Sequence, residues 1–102
     1  MGSVGNNGNN GGGGRSFIQT LHNRLDKASF KDEGNGQWTL DTGMGGGQIL
    51  DESDGRLGEY GRMRAYSVRA WDSNYSPIGE EEVYSSLNAA KQAIKNKIKS
   101  TL

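Results

Sequence analysis

The sequence predicts an α+β domain of order α-β-β-β-α, in which a three-stranded antiparallel sheet carries two helices packed on one face. Three observations lead there. An apolar stripe of helical period closes the chain, and a second, weaker one opens it after a glycine-rich tail. Between them, Tyr66, Val68 and Ala70 alternate with Ser67, Arg69 and Trp71, the period-two pattern of a strand with one packed and one open face.

The 102 residues hold one domain, and the 17 glycines are concentrated toward the start. Residues 1–14 are almost entirely Gly and Asn. They carry too little apolar area to offset the entropy of ordering, so a disordered tail is expected there and a single domain over residues 15–102. Ser16 with Gln19 three residues on has the form of a capping box, which predicts a helix starting at Ser16. Phe17, Ile18, Leu21, Leu25 and Ala28 recur on one face of it, and it is expected to end before Gly34.

Gly34-Asn35-Gly36 is a turn signal, and Gln37-Trp38-Thr39-Leu40 reads as a first strand with Trp38 and Leu40 on the same side. From Asp41 to Gly61, glycines and acids predict a long loop, with Gln48-Ile49-Leu50 its one candidate for a further short strand. Loops of that length in so small a domain are either mobile or functional. Arg62 to Asp72 forms the central strand. A turn containing the only proline, Pro77, then sends Ile78 to Tyr84 back antiparallel to it.

Ser85 or Ser86 caps the last helix, whose stripe is Leu87, Ala90, Ile94, Ile98 and Leu102. Lys91, Lys95, Lys97 and Lys99 line its flanks with no acidic residue between them. The net charge of zero hides this asymmetry. Asp26 to Glu59 carries eight acids against three bases, and Tyr60 onward seven bases against four acids. A basic helix face can meet a polyanion, although such charges more often form a plain solvated surface.

The absence of cysteine excludes disulfides, thiolate metal sites and a cysteine nucleophile. His22 is the only histidine and has no evident nucleophile or orienting acid beside it. The carboxylates Asp51, Glu52, Asp54 and Glu80 to Glu82 stand in polar segments, where an unraised pKa makes a poor general acid. Asp51-Glu52-Ser53-Asp54-Gly55 is faintly similar to a calcium loop, but the alternating ligand positions and closing Glu are out of register. These readings point to a binding domain rather than an enzyme, with no cofactor and no metal. The lack of a long apolar run or a signal-peptide pattern points to an intracellular protein, in the cytoplasm or nucleus, that does not enter a membrane.

Recognition at a surface is then the remaining class. Tyr60, Arg62, Arg64, Arg69 and Trp71 interleave cations with aromatics, as surfaces that stack on bases and pair with phosphates do. The plainer alternative, favoured on residue types alone, has Trp71 and Tyr75 filling a minor core while the arginines pair with the acidic loop.

The predicted topology, the strand Tyr66-Ser67-Val68-Arg69-Ala70 and the segment Ser86-Leu87-Asn88-Ala89-Ala90-Lys91 together resemble the double-stranded-RNA-binding domain. The last segment keeps the Ser, the Ala and the final Lys of that family's Ser-Lys-Lys-x-Ala-Lys motif, and two of its three lysines are missing. The family's Gly-Pro-x-His loop is also absent; Gly58-Glu59-Tyr60-Gly61-Arg62 stands there. The resemblance implies a domain that binds duplex RNA without sequence specificity. It makes Lys91 a phosphate contact and Gln19 and Asn23 minor-groove contacts, and puts Arg62 near the place of the loop histidine. Lys95 and Arg64 extend the same basic surface. Loss of the lysines weakens this implication, and a degenerate member of the family can serve instead as a protein-binding or dimerisation domain. Tyr84-Ser85-Ser86 with Ala89, Ala90 and Ile94 after a hairpin is also similar to small bacterial YegP-type domains. The three strands and last helix look like the DNA-binding modules that open phage integrases, which leaves the first helix unexplained.

Overall fold

A computed structural model describes residues 13–53 and 64–102. It has the α+β class the sequence predicts, with two helices and an antiparallel sheet, but the sheet has five strands where three were expected. In chain order the elements are α1 (Gly13–Lys27), β1 (Lys31–Gly34), β2 (Gln37–Thr42), β3 (Gly45–Asp51), β4 (Tyr66–Asp72), β5 (Glu82–Tyr84) and α2 (Leu87–Lys99). The strands lie side by side in the order β1-β2-β3-β4-β5, each antiparallel to its neighbour.

Both added strands come from segments whose composition argues against a strand. β1 is Lys-Asp-Glu-Gly and exposed throughout, so no burial pattern marks it. It is formed by the turn at Gly34-Asn35-Gly36, where all three residues have positive φ and fold it back on β2. β3 takes in Gln48-Ile49-Leu50, the one candidate strand within the expected loop, but begins Gly-Gly-Gly and is the middle strand. Close contact from both faces accounts for its glycines. A β-carbon on Gly47 would lie 2.5 Å from Ile94 Cγ2 on the helix side, and one on Gly46 would lie 2.7 Å from Trp71 Nε1 on the other.

The core lies between the sheet and α2. Ala90, Ile94 and Ile98 of α2 are buried against Leu40, Ile49, Tyr66, Val68 and Ala70 of the sheet. Ser86 caps α2, accepting a hydrogen bond from the Ala89 amide at 3.1 Å. Trp38 meets Tyr66 edge-on at the border of this core, 6.1 Å between ring centres. Arg62, where β4 was expected to begin, lies outside the described residues, among which β4 runs from Tyr66; the return strand is only the three residues of β5. Ile78 already joins the hairpin, its amide donating to the Ala70 carbonyl at 2.9 Å.

The first helix departs most from its sequence pattern. It begins at Gly13, three residues ahead of the expected cap at Ser16, and it stops at Lys27. It packs against α2 and sends Leu25 into the core. Phe17 and Ile18, on the same stripe, remain 64% and 40% exposed. No helix among the described residues is long and apolar enough to cross a membrane.

Candidate functional site

α2 packs on one face of the sheet, and register fixes what the opposite face displays. Three rows of residues cross it. Asp41, Gly46 and Trp71 form the first, Thr39, Gln48 and Arg69 the second, and Gln37, Leu50, Ser67 and Val83 the third. Since Gly46 has no side chain, the Trp71 indole settles over it.

Beyond β4 the chain turns back beside it, along the sheet edge, as a strap. Asp72 organises the start of it. Its carboxylate accepts the amides of Asn74 at 2.8 Å and Ser76 at 3.0 Å, its own amide donates to the Ser76 carbonyl, and its carbonyl accepts the Tyr75 amide. These bonds hold Tyr75 at φ 63°, a left-handed conformation that a bulky aromatic rarely adopts, with the residue 77% exposed. A bridge between Trp71 and Pro77 and the Ile78 to Ala70 bond lay the rest of the strap beside β4.

Strap and sheet together enclose an open cavity of 560 Å³. Gln48, Arg69 and Trp71 form its floor, and Tyr75, Pro77, Glu80 and Glu81 its wall. Glu81 pairs with Arg69 at 3.4 Å. The size falls within the range of sites that take a small ligand or a few side chains of a partner.

The residues expected to meet RNA are placed as follows. Gln19 and Asn23 are exposed neighbours on α1, the Gln19 amide donating to Asn23 Oδ1 at 3.0 Å. Lys95 of α2 reaches across to donate to the Asp26 carbonyl at 2.9 Å, which satisfies a free carbonyl in the last turn of α1. Lys99 pairs with the Asp26 carboxylate at 2.6 Å, and Lys97 with Glu82 at 3.2 Å. Lys91 lies over the Phe30 ring, 5.8 Å from its centre. Arg64 stands just ahead of β4, 3.8 Å from Asp51 at the end of β3. Arg62 and Tyr60 lie outside the described residues.

The structure thus brings Lys95 to the α1–α2 junction, leaves Gln19 and Asn23 exposed on α1, and sets Arg64 apart from them. No family model, curated protein or solved structure matches this chain. The resemblance to duplex-RNA-binding domains therefore rests on the residues that suggested it.

Electrostatic effects mark where the carboxylates are committed. Asp26 is held below the usual carboxylate range, first by the hydrogen bond from Lys99 and then by the charges of Lys99, Lys95 and His22. Asp51 is lowered by bonds from Ser53, side chain first and amide second, with a smaller contribution from Arg64. Glu82 is lowered by the Tyr84 hydroxyl and then Lys97, while the Tyr84 phenol is raised by the same bond. Among the described residues no group of three His, Asp or Glu side chains is placed to hold a metal ion.

Sequence reasoning placed Arg69 and Trp71 on an open face and missed the cavity. The missing signal was the strap: Ile78 to Tyr84 reads as a plain return strand, and nothing local reveals that its regular pairing is interrupted between Ile78 and Glu82. The positive φ at Tyr75 is equally silent in the sequence.

Proposed function

We propose that the domain binds another protein through the sheet face opposite α2, centred on Trp71 and the cavity beside it. One observation carries this reading. An indole and an exposed tyrosine held in a strained conformation border the same cavity on the face opposite α2. Strain of that kind persists where surrounding bonds over-determine it, and it clusters at binding sites. Aromatic residues bordering a depression are also the usual anchors of protein interfaces.

The lysines of α2 favour the same choice. Lys95, Lys97 and Lys99 each bond to a group of the domain itself, and Lys91 rests on Phe30. A duplex would have to displace those contacts, and acids stand among them at Asp26 and Glu82. Release of bound counterions drives phosphate binding, and a cation already paired within the protein contributes less to it.

A photoreactive amino acid placed at Tyr75 tests the reading, with one at Lys91 as the comparison. Protein adducts are expected from position 75 and not from position 91, and Trp71→Ala removes them while Lys91→Ala with Lys95→Ala does not. Titration with duplex RNA at low salt is the counter-test. Tight binding that disappears in the double lysine variant and survives Trp71→Ala would overturn the proposal in favour of RNA recognition.

A further inference from the structure

The cavity's chemistry narrows the partner further, provided the face is a protein-binding surface as proposed above. We infer that it receives a cationic side chain, an arginine or lysine, from an extended basic segment of the partner protein.

Three features select that class. The first is charge. Glu80 and Glu81 line the cavity against the single cation Arg69, which Glu81 already engages at 3.4 Å, so one negative charge is left over at Glu80. Asp41 lies farther along the same face, in the Gly46 and Trp71 row, and is exposed. Phosphate groups are repelled here, and an uncharged ligand would cover the Glu80 carboxylate without compensating it.

The second feature is aromatic. Trp71 and Tyr75 border the cavity together with those acids, and indole and phenol faces attract a guanidinium or ammonium group. The third is the apolar wall. Pro77, bridged to Trp71 of the open face, offers a surface for the methylene stem that carries such a head group. The 560 Å³ volume holds a long side chain with room for the residues flanking it. The strained Tyr75 fits this use, because the left-handed turn keeps a ring at the cavity mouth where a relaxed glycine would leave none.

Nitrogen-15 spectra of the full chain, titrated with a capped hexapeptide of alternating glycine and arginine, test the inference. The citrulline analogue of that peptide, equal in shape and uncharged, is the control. The Trp71 indole N–H and the amides of 75 to 81 are expected to shift with the arginine peptide. The citrulline peptide is expected to bind at least about tenfold more weakly. Glu80→Gln with Glu81→Gln weakens the arginine peptide to a similar degree, and so does Tyr75→Gly, whose spectrum stays dispersed because glycine relieves the turn.

Equal binding of the two peptides, or shifts that map outside the cavity, would overturn it. So would a shift of the Trp71 signal by duplex RNA at the same salt. If position 75 still forms adducts with protein while the arginine peptide leaves the cavity signals unmoved, the cationic ligand is wrong and the protein-binding face stands. If adducts and peptide shifts are both absent, the binding face itself is wrong.

Discussion

Ile94 of α2 presses directly on Gly47 of β3. A β-carbon on the glycine would fall 2.5 Å from Ile94 Cγ2 and 2.8 Å from Cδ1, with the Arg69 carbonyl at 2.9 Å. This approach sets how closely the helix lies on the sheet. Gly47→Ala is therefore expected to lower stability by about 1–3 kcal/mol, the usual range for overpacking. Guanidinium unfolding checks it through a lower midpoint at unchanged slope. Ile94→Ala alone should cost about 2–5 kcal/mol by leaving a cavity. The two changes together should cost less than their sum, since the methyl on residue 47 enters space the isoleucine vacates.

The junction of the two helices rests on Asp26, whose carboxylate binds Lys99 and whose carbonyl binds Lys95. The lysine hydrogen bond lowers the carboxyl below its ordinary 3.8. A carboxylate so depressed contributes above its ordinary value and loses its effect as pH falls through the lower folded-state value. Amides of α1 should consequently exchange faster below about pH 3.8, while those of β3, β4 and α2 stay protected. Asp26→Asn should show the faster α1 exchange already at neutral pH and no further acid step at this helix. Unchanged α1 protection in that variant would mean that Leu25 alone holds the helix.

These two contacts also show what the sequence could convey. The α2 stripe and the alternation of Tyr66, Val68 and Ala70 were legible because burial on one face imposes a period on the chain. Of β3 only Gln48-Ile49-Leu50 was legible as a candidate strand; its glycines were not, since they answer to Ile94 and Trp71, which are distant in sequence. β1 was not, because an exposed edge strand needs only backbone pairing and shows no side-chain period. The apolar spacing of α1 was read as a core face, yet only Leu25 is buried by it. As for the candidate residues, the lysine-rich face of α2 was visible as composition, whereas its engagement with Asp26 and Glu82 depends on how α1 and β5 dock.

Tyr84 and Glu82 form a pair that alkaline titration can follow. The phenol donates to Glu82 Oε1 at 2.6 Å, and this bond raises its pKa above the ordinary 10.0. A raised folded-state value means that the contribution is fully present below pH 10.0 and is lost as pH rises through the higher value. Tyrosinate absorbance followed with pH should show a late-titrating component in the native protein that disappears in Tyr84→Phe. The same change should let the Glu82 carboxyl rise toward its ordinary 4.5, short of it because Lys97 remains.

Tyr75 offers the sharpest separation of stability from function. Its φ of 63° is set by Asp72, which binds the Asn74 and Ser76 amides and accepts the Tyr75 amide on its carbonyl. Glycine adopts this conformation freely, and a left-handed non-glycine residue costs on the order of 1–3 kcal/mol. Part of that relief is offset by the greater freedom glycine gives the unfolded chain. Tyr75→Gly should therefore leave stability equal or raise it by up to about 1 kcal/mol. It should at the same time weaken whatever engages the cavity, the pattern of a residue kept for binding against the preference of its backbone. Asp72→Ala, by contrast, frees two amides at once and should lower the melting temperature and binding together. Loss of stability in Tyr75→Gly would show instead that the ring supports the strap, and the strain at this turn would then be structural.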